Sequence, residues 1–296
     1  MKITHIVLLA VLLGRIAHSQ TLSLPPRPAD APTGSEFALS ITNLERPERE
    51  ERICAEIERG NVPNFLRKLS PVHAESVQDG ITNTAVYYVT PDYLAVGSDE
   101  DYFLTPLSPI TAQKIADRLQ CLLPTPKMVD EIYAAAPLKL SPAPIAPSAV
   151  MATVPIFIQH NETIRQQRDE QLTTFPLGTL VAGHKKDVVI SNKLLATHGK
   201  VAIYGWHKLD GKPIQPLYCG HADFYADYSH GIRLVQLKLI VNGVERTIPE
   251  VLADPALAGL LSDEGPILKW KYPPLFEPRK SVIPTLQTQT NAPGIK

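Results

Sequence analysis

The sequence predicts an α+β protein in which a helical N-terminal part packs on a C-terminal, mostly antiparallel sheet. Three observations point there. Capped or amphipathic helical segments gather in the first half, and β-branched and aromatic runs gather in the second. Two turn dipeptides, Asp210-Gly211 and Asn242-Gly243, join neighbouring β-type runs as hairpins rather than crossovers. The 28 prolines among 296 residues favour many turns and few long helices.

Residues 1–19 read as a signal peptide. Lys2 precedes a short apolar run from Ile6 to Leu13, and Ala17-His18-Ser19 places small residues at a cleavage site. Residues 20–44 form an extended lead-in, and 45–140 a helix-rich N-terminal region. In it, 45–59 is a charged amphipathic helix, with Ile53 and Ile57 one turn apart and Gly60 as its stop. A short helix follows at 63–69. Thr84–Val96 reads as two strands, or one bent at Pro91-Asp92. Ser108-Pro109 and Thr125-Pro126 open helices at 110–119 and 127–136. Residues 141–155 are a Pro-rich linker or loop. Residues 156–276 form a strand-rich region that begins with a polar helix at 161–171, and 277–296 are a coil tail.

The formal net charge of −1 argues against a nucleic-acid partner. No later stretch approaches the ~20 apolar residues that span a bilayer, so no integral membrane segment is expected in the mature chain. The address is secreted or periplasmic, and the expected partner is a small-molecule or polymer substrate outside the cytoplasm. Disulfides can form there. The three cysteines are an odd number, and Cys54 with Cys121 is the preferred pair, leaving Cys219 free.

The densest chemistry is Tyr218–Arg233, YCGHADFYADYSHGIR. Read as a strand, it aligns His221, Asp223, Tyr225, Asp227 and Ser229 on one face, with Cys219 ahead of them. A bulge at Gly231 would bring in His230. Carboxylates beside imidazoles orient the ring and raise its basicity. The bland alternative is a solvated strand face. Ser229-His230-Gly231-Ile232-Arg233 resembles part of the L,D-transpeptidase catalytic strand, Ser-His-Gly-Cys-x-Arg. Ile232 stands in the nucleophile's place, so that activity does not carry over.

The first functional reading is a secreted hydrolase of a peptide or amide bond, acting on material such as cell wall. Cys219, His221, Asp223, Asp227 and His230 are its candidate catalytic residues. His230 or His221 would be the base, Asp227 or Asp223 its orienter, and Cys219 the nucleophile. Tyr225, Arg233, His184, Lys186, Trp206 and His207 are candidate substrate contacts, with Arg233 or Lys186 holding a carboxylate. The second reading is a carbohydrate-active enzyme. In it, Tyr225 and His230 exchange protons at a uronic acid neutralised by Arg233, or Asp223 and Asp227 form an acid/base pair. The third is a non-catalytic binding or envelope protein. The cofactor is open: His221, Asp223, Asp227 and His230 are donors that suit zinc, but no HExxH or paired CxxC spacing accompanies them.

Overall fold

A computed structural model describes residues 20–272. The signal-peptide reading of 1–19 and the coil tail at 277–296 lie outside the described residues. In the first half the elements are α1 (Gly34–Ser40), α2 (Arg46–Glu58), β1 (Ser70–Gln78), β2 (Ile81–Val89), β3 (Ala95–Gly97), β4 (Tyr102–Leu104), α3 (Pro109–Arg118), β5 (Cys121–Leu122), α4 (Pro126–Ala135) and β6 (Leu138–Lys139). In the second they are α5 (Val154–Asp169), β7 (Val181–Ala182), β8 (Lys186–Val189), β9 (Ala202–His207), β10 (Pro213–Tyr218), β11 (His230–Gly231), β12 (Val235–Gln236), β13 (Lys238–Val241), β14 (Val244–Thr247) and α6 (Ile248–Ala253).

The fold is mixed α+β, and the expected division into a helical N-terminal part and a C-terminal sheet is overturned. Helices alternate with strands along the chain. The largest sheet has the order β14-β13-β2-β12-β5, with β1 also on β2, so it draws on both halves. Its centre, β2, pairs along its length with β1, from Ser70 opposite Val89 to Gln78 opposite Ile81. The turn between them is Asp79-Gly80, both at positive φ (51° and 78°), the backbone that a tight right-twisted hairpin needs. The first strand was invisible because only Val72 and Ala74 of its side chains are buried.

The second sheet carries the site. Its order is β10-β9-β8-β11, antiparallel except for the β8–β11 pair. The Asp210-Gly211 hairpin joins β9 to β10, and the Asn242-Gly243 hairpin joins β13 to β14. One continuous apolar core runs through residues from Leu22 to Tyr272 and lies against both sheets.

The local signals place the helix starts. Thr125 Oγ1 accepts the N–H of Met128 and caps α4. Ser108 does not cap α3 with its own hydroxyl. Glu50, on α2, reaches across instead and accepts Ser108 N (2.8 Å), Ser108 Oγ (2.7 Å) and Thr111 Oγ1 (2.5 Å), which ties the two helices together. The 161–171 helix begins earlier than expected, at Val154, with Pro155 in its first turn. Strand β14 stops at Thr247, where a Thr247–Glu250 capping box opens helix α6.

All three cysteines are free, so the Cys54–Cys121 pairing is corrected. Both are buried thiols, and Cys121 Sγ donates to Leu119 O at 3.3 Å. Ser141 and Ile145 of the Pro-rich stretch are bonded to Gln167 and to the Tyr228 hydroxyl. Among the described residues no helix is long and apolar enough to cross a membrane.

Candidate active site

The single strand expected at Tyr218–Arg233 is not formed. Strand β10 ends at Tyr218, β11 is only His230–Gly231, and the chain between them is a folded loop. Alternation of side chains therefore does not decide which residues meet. Two other features do: the parallel register of β11 on β8, and the way the loop curls back over it.

In that register His230 is opposite Lys186 and Gly231 opposite Asp187, while Lys186 is opposite Gly205 of β9. Register partners project to the same face of a sheet. Lys186 and His230 thus stand side by side, whereas Gly205, at φ 99°, departs from strand geometry and directs its Cβ position toward Val129 and the His207 ring. On the opposite face, a methyl group at Gly231 would lie 2.6 Å from the Tyr93 ring and 2.7 Å from Lys185 Cβ, so only glycine fits.

Asp227 holds the loop in place. Its Oδ1 accepts Ser229 N (2.8 Å) and Ser229 Oγ (2.5 Å), and its Oδ2 accepts the Tyr225 hydroxyl (3.3 Å). Lys186 Nζ is 3.7 Å from the same Oδ2. Burial opposes the Asp227 charge, but His230, Lys186 and the Ser229 hydrogen bonds outweigh it and bring the carboxyl down to about 2. Tyr225 stacks on His221 with centroids 4.3 Å apart and meets His230 edge-on at 5.8 Å. His221 and Tyr225 are half-buried and cover an imidazole that is 1% exposed.

His230 is the unusual member. Both its ring nitrogens are buried without a hydrogen-bond partner. Burial pushes it down to about 4, against the pull of Asp227 and with the help of Lys186, so the ring is neutral at pH 7. Trp206, 5% exposed, is linked to the cluster through Lys186, whose Nζ lies 5.3 Å from its ring centroid, and its Nε1 is buried without a partner. Its backbone is in the left-handed region, at φ 57° next to Gly205 at 99°. A bulky residue pays strain to sit there, and such strain gathers at functional sites.

The remaining candidates lie elsewhere. Cys219 packs against Val129, Val189 and Ala202. Burial pushes its thiol up, and the groups that set its acidity are Lys193, Thr197 and Glu264 rather than His221 or His230. Arg233 is fully buried, donates to Thr90 O and Val181 O at 2.8 Å, and covers the Tyr93 ring at 4.3 Å, which makes it a brace rather than a substrate contact. His184 is fully buried against Asp92, with Nε2 3.0 Å from Oδ1. His207 stacks on Tyr133 and bonds to Asp130 at 2.8 Å. Asp223 is tied by its N–H to Gly199 O and lines a separate hollow with Lys200 and Trp270. Among the described residues no group of three or more His, Cys, Asp or Glu is arranged to hold a metal ion, so the zinc set is not assembled.

Lys185, beside Lys186 at the entrance to β8, turns into the interior. It is 1% exposed, donates to Tyr228 O at 2.6 Å and to His160 Nδ1 at 3.2 Å, and burial pulls it down to about 7. The signal was the Lys185-Lys186 pair at a strand entrance: consecutive strand residues project to opposite faces, so one lysine had to enter the interior.

No protein-family model matches the chain, and no curated protein and no solved structure matches it.

Proposed function

We propose that the protein is a hydrolase of a peptide or related amide bond, working outside the cytoplasm, with its chemistry at His230 and with water rather than the Cys219 thiol as the attacking group. The observation that carries the reading is the buried, neutral, unpartnered His230 imidazole beside the Lys186 ammonium. The imidazole has a free nitrogen for a water proton, and the ammonium has charge for the oxyanion that forms as water adds to the carbonyl. Asp227 positions Lys186 and the covering loop. The export reading of 1–19 supports the location.

A panel of peptides, peptidoglycan and polyuronides tests the proposal against His230→Asn. Loss of general-base catalysis lowers the rate by about 10²–10⁴-fold. Unchanged turnover in that variant overturns the assignment.

One observation favours a second reading, a lyase acting on uronic acids. Tyr225 and His230 are in contact, and Lys186 stands where Arg233 was expected to neutralise the carboxylate. Elimination needs no nucleophile. The same panel separates the two, because a lyase releases an unsaturated product with new ultraviolet absorbance and a hydrolase does not.

A further inference from the structure

The His230 cluster has more donors than acceptors. The Asp227 oxygens already face Ser229 N, Ser229 Oγ, the Tyr225 hydroxyl and the Lys186 ammonium. Of the residues that meet Lys186, Trp206 through its Nε1 and His230 through both ring nitrogens have no hydrogen-bond partner. Among the described residues Lys186 Nζ makes no hydrogen bond beyond its 3.7 Å ion pair. A neutral imidazole brings one N–H and one acceptor, an indole one N–H, and an ammonium three. The surplus is therefore N–H groups and positive charge in a place withdrawn from water. Buried donors without partners are costly, and a ligand that fills them without adding donors of its own carries oxygens and negative charge.

We infer that the substrate is held by a carboxylate of its own, present before any reaction, which takes hydrogen bonds from Lys186 Nζ, the register partner of His230, and from the Nε1 of the Trp206 ring that Lys186 covers. This rests on the reading of the His230 cluster as the substrate site: of the three ammonium N–H groups of Lys186, one faces Asp227, one takes the carboxylate and one is left for the oxyanion. On the outer side of the cluster the His221–Tyr225 stack covers the His230 ring, and the Tyr225 hydroxyl is held there by one 3.3 Å bond. Two oxygens at fixed spacing suit an ammonium and an indole N–H together, and a neutral amide lacks the charge that Lys186 would meet.

The chain's two tryptophans give separate indole N–H signals, so Trp270 reports on the fold while Trp206 reports on the site. The full chain is titrated with acetate and with acetamide while both signals are followed by NMR. Acetate is expected to shift the Trp206 signal saturably and acetamide to leave it in place. Lys186→Met weakens acetate binding by about tenfold or more, and Lys186→Arg recovers most of it. An unchanged Trp270 signal verifies that the variants fold. Equal shifts with acetamide, or none with acetate, overturn the carboxylate. Turnover by a protein that ignores acetate would leave the hydrolase reading standing, whereas acetate binding with turnover indifferent to His230→Asn would remove the hydrolase and keep the carboxylate site.

Discussion

Lys186 and His230 are register partners on the parallel strands β8 and β11, so an ammonium and a neutral imidazole lie side by side with the Asp227 carboxylate 3.7 Å from the former. Neither residue is near the other in sequence, and the pairing depends on strands only four and two residues long.

Gly231→Ala should destabilise the protein by about 1–3 kcal/mol, the usual cost of overpacking. The added methyl would press on the Tyr93 ring and Lys185 Cβ. Because Gly231 follows His230 directly, turnover should fall along with the urea midpoint.

Replacing Arg233 with Met removes a guanidinium that bonds Thr90 O and Val181 O with no solvent to replace it. Stability should fall by about 3–5 kcal/mol, as when one partner of a buried charged network is lost. In whatever fraction remains folded, KM should be unchanged, since Arg233 does not reach the His230 cluster. A raised KM at normal stability would return Arg233 to the substrate site.

Stability should decline as the pH falls from about 6.5 to about 4, because His230 is depressed from 6.5 to about 4 in the folded protein. A depressed group contributes stability that is complete above its unfolded value and is lost on the way down to its folded one. Asp227, Lys186, His221 and Lys185 set the field on this ring. Chemical denaturation across that range should show a shallower slope in His230→Asn than in the wild type.

Lys185 gives a second window on the alkaline side. Its folded value of about 7 lies below the ordinary 10.5, so the wild type should lose stability as the pH falls from about 10.5 to about 7. Lys185→Met should flatten that slope. A slope equal to the wild type's would mean that Lys185 keeps an ordinary affinity for its proton.

Cys219→Ser should leave turnover within a factor of about two, because the thiol is held in its protonated form among Val129, Val189 and Ala202. Alkylation of Cys219 at neutral pH should be slow for the same reason.

Much of the local structure was legible in the sequence. Pro at helix starts, the Thr125 cap and both Gly-containing hairpins of the second half are short-range signals, and each works through one or two backbone bonds. The architecture was not, because β1 hides as a polar segment and the large sheet joins residues more than a hundred positions apart, such as Val89 and Val235. At the site, the sequence named His221, Tyr225, Asp227, His230, Lys186 and Trp206, which meet, together with Cys219, Asp223, Arg233, His184 and His207, which do not. A strand's alternation was the wrong rule for 219–229, where Asp227 hydrogen bonds shape a loop instead. Arg233 and His184 are polar residues buried for support, and composition alone does not separate them from ligands.

The most direct test is single-turnover product formation by wild type and His230→Asn on whichever substrate of the panel the wild type cleaves, with folding verified by the Trp270 signal. The account predicts that a folded His230→Asn protein forms product slower by about 10²-fold or more. Product formed at the wild-type rate by a folded variant would contradict it.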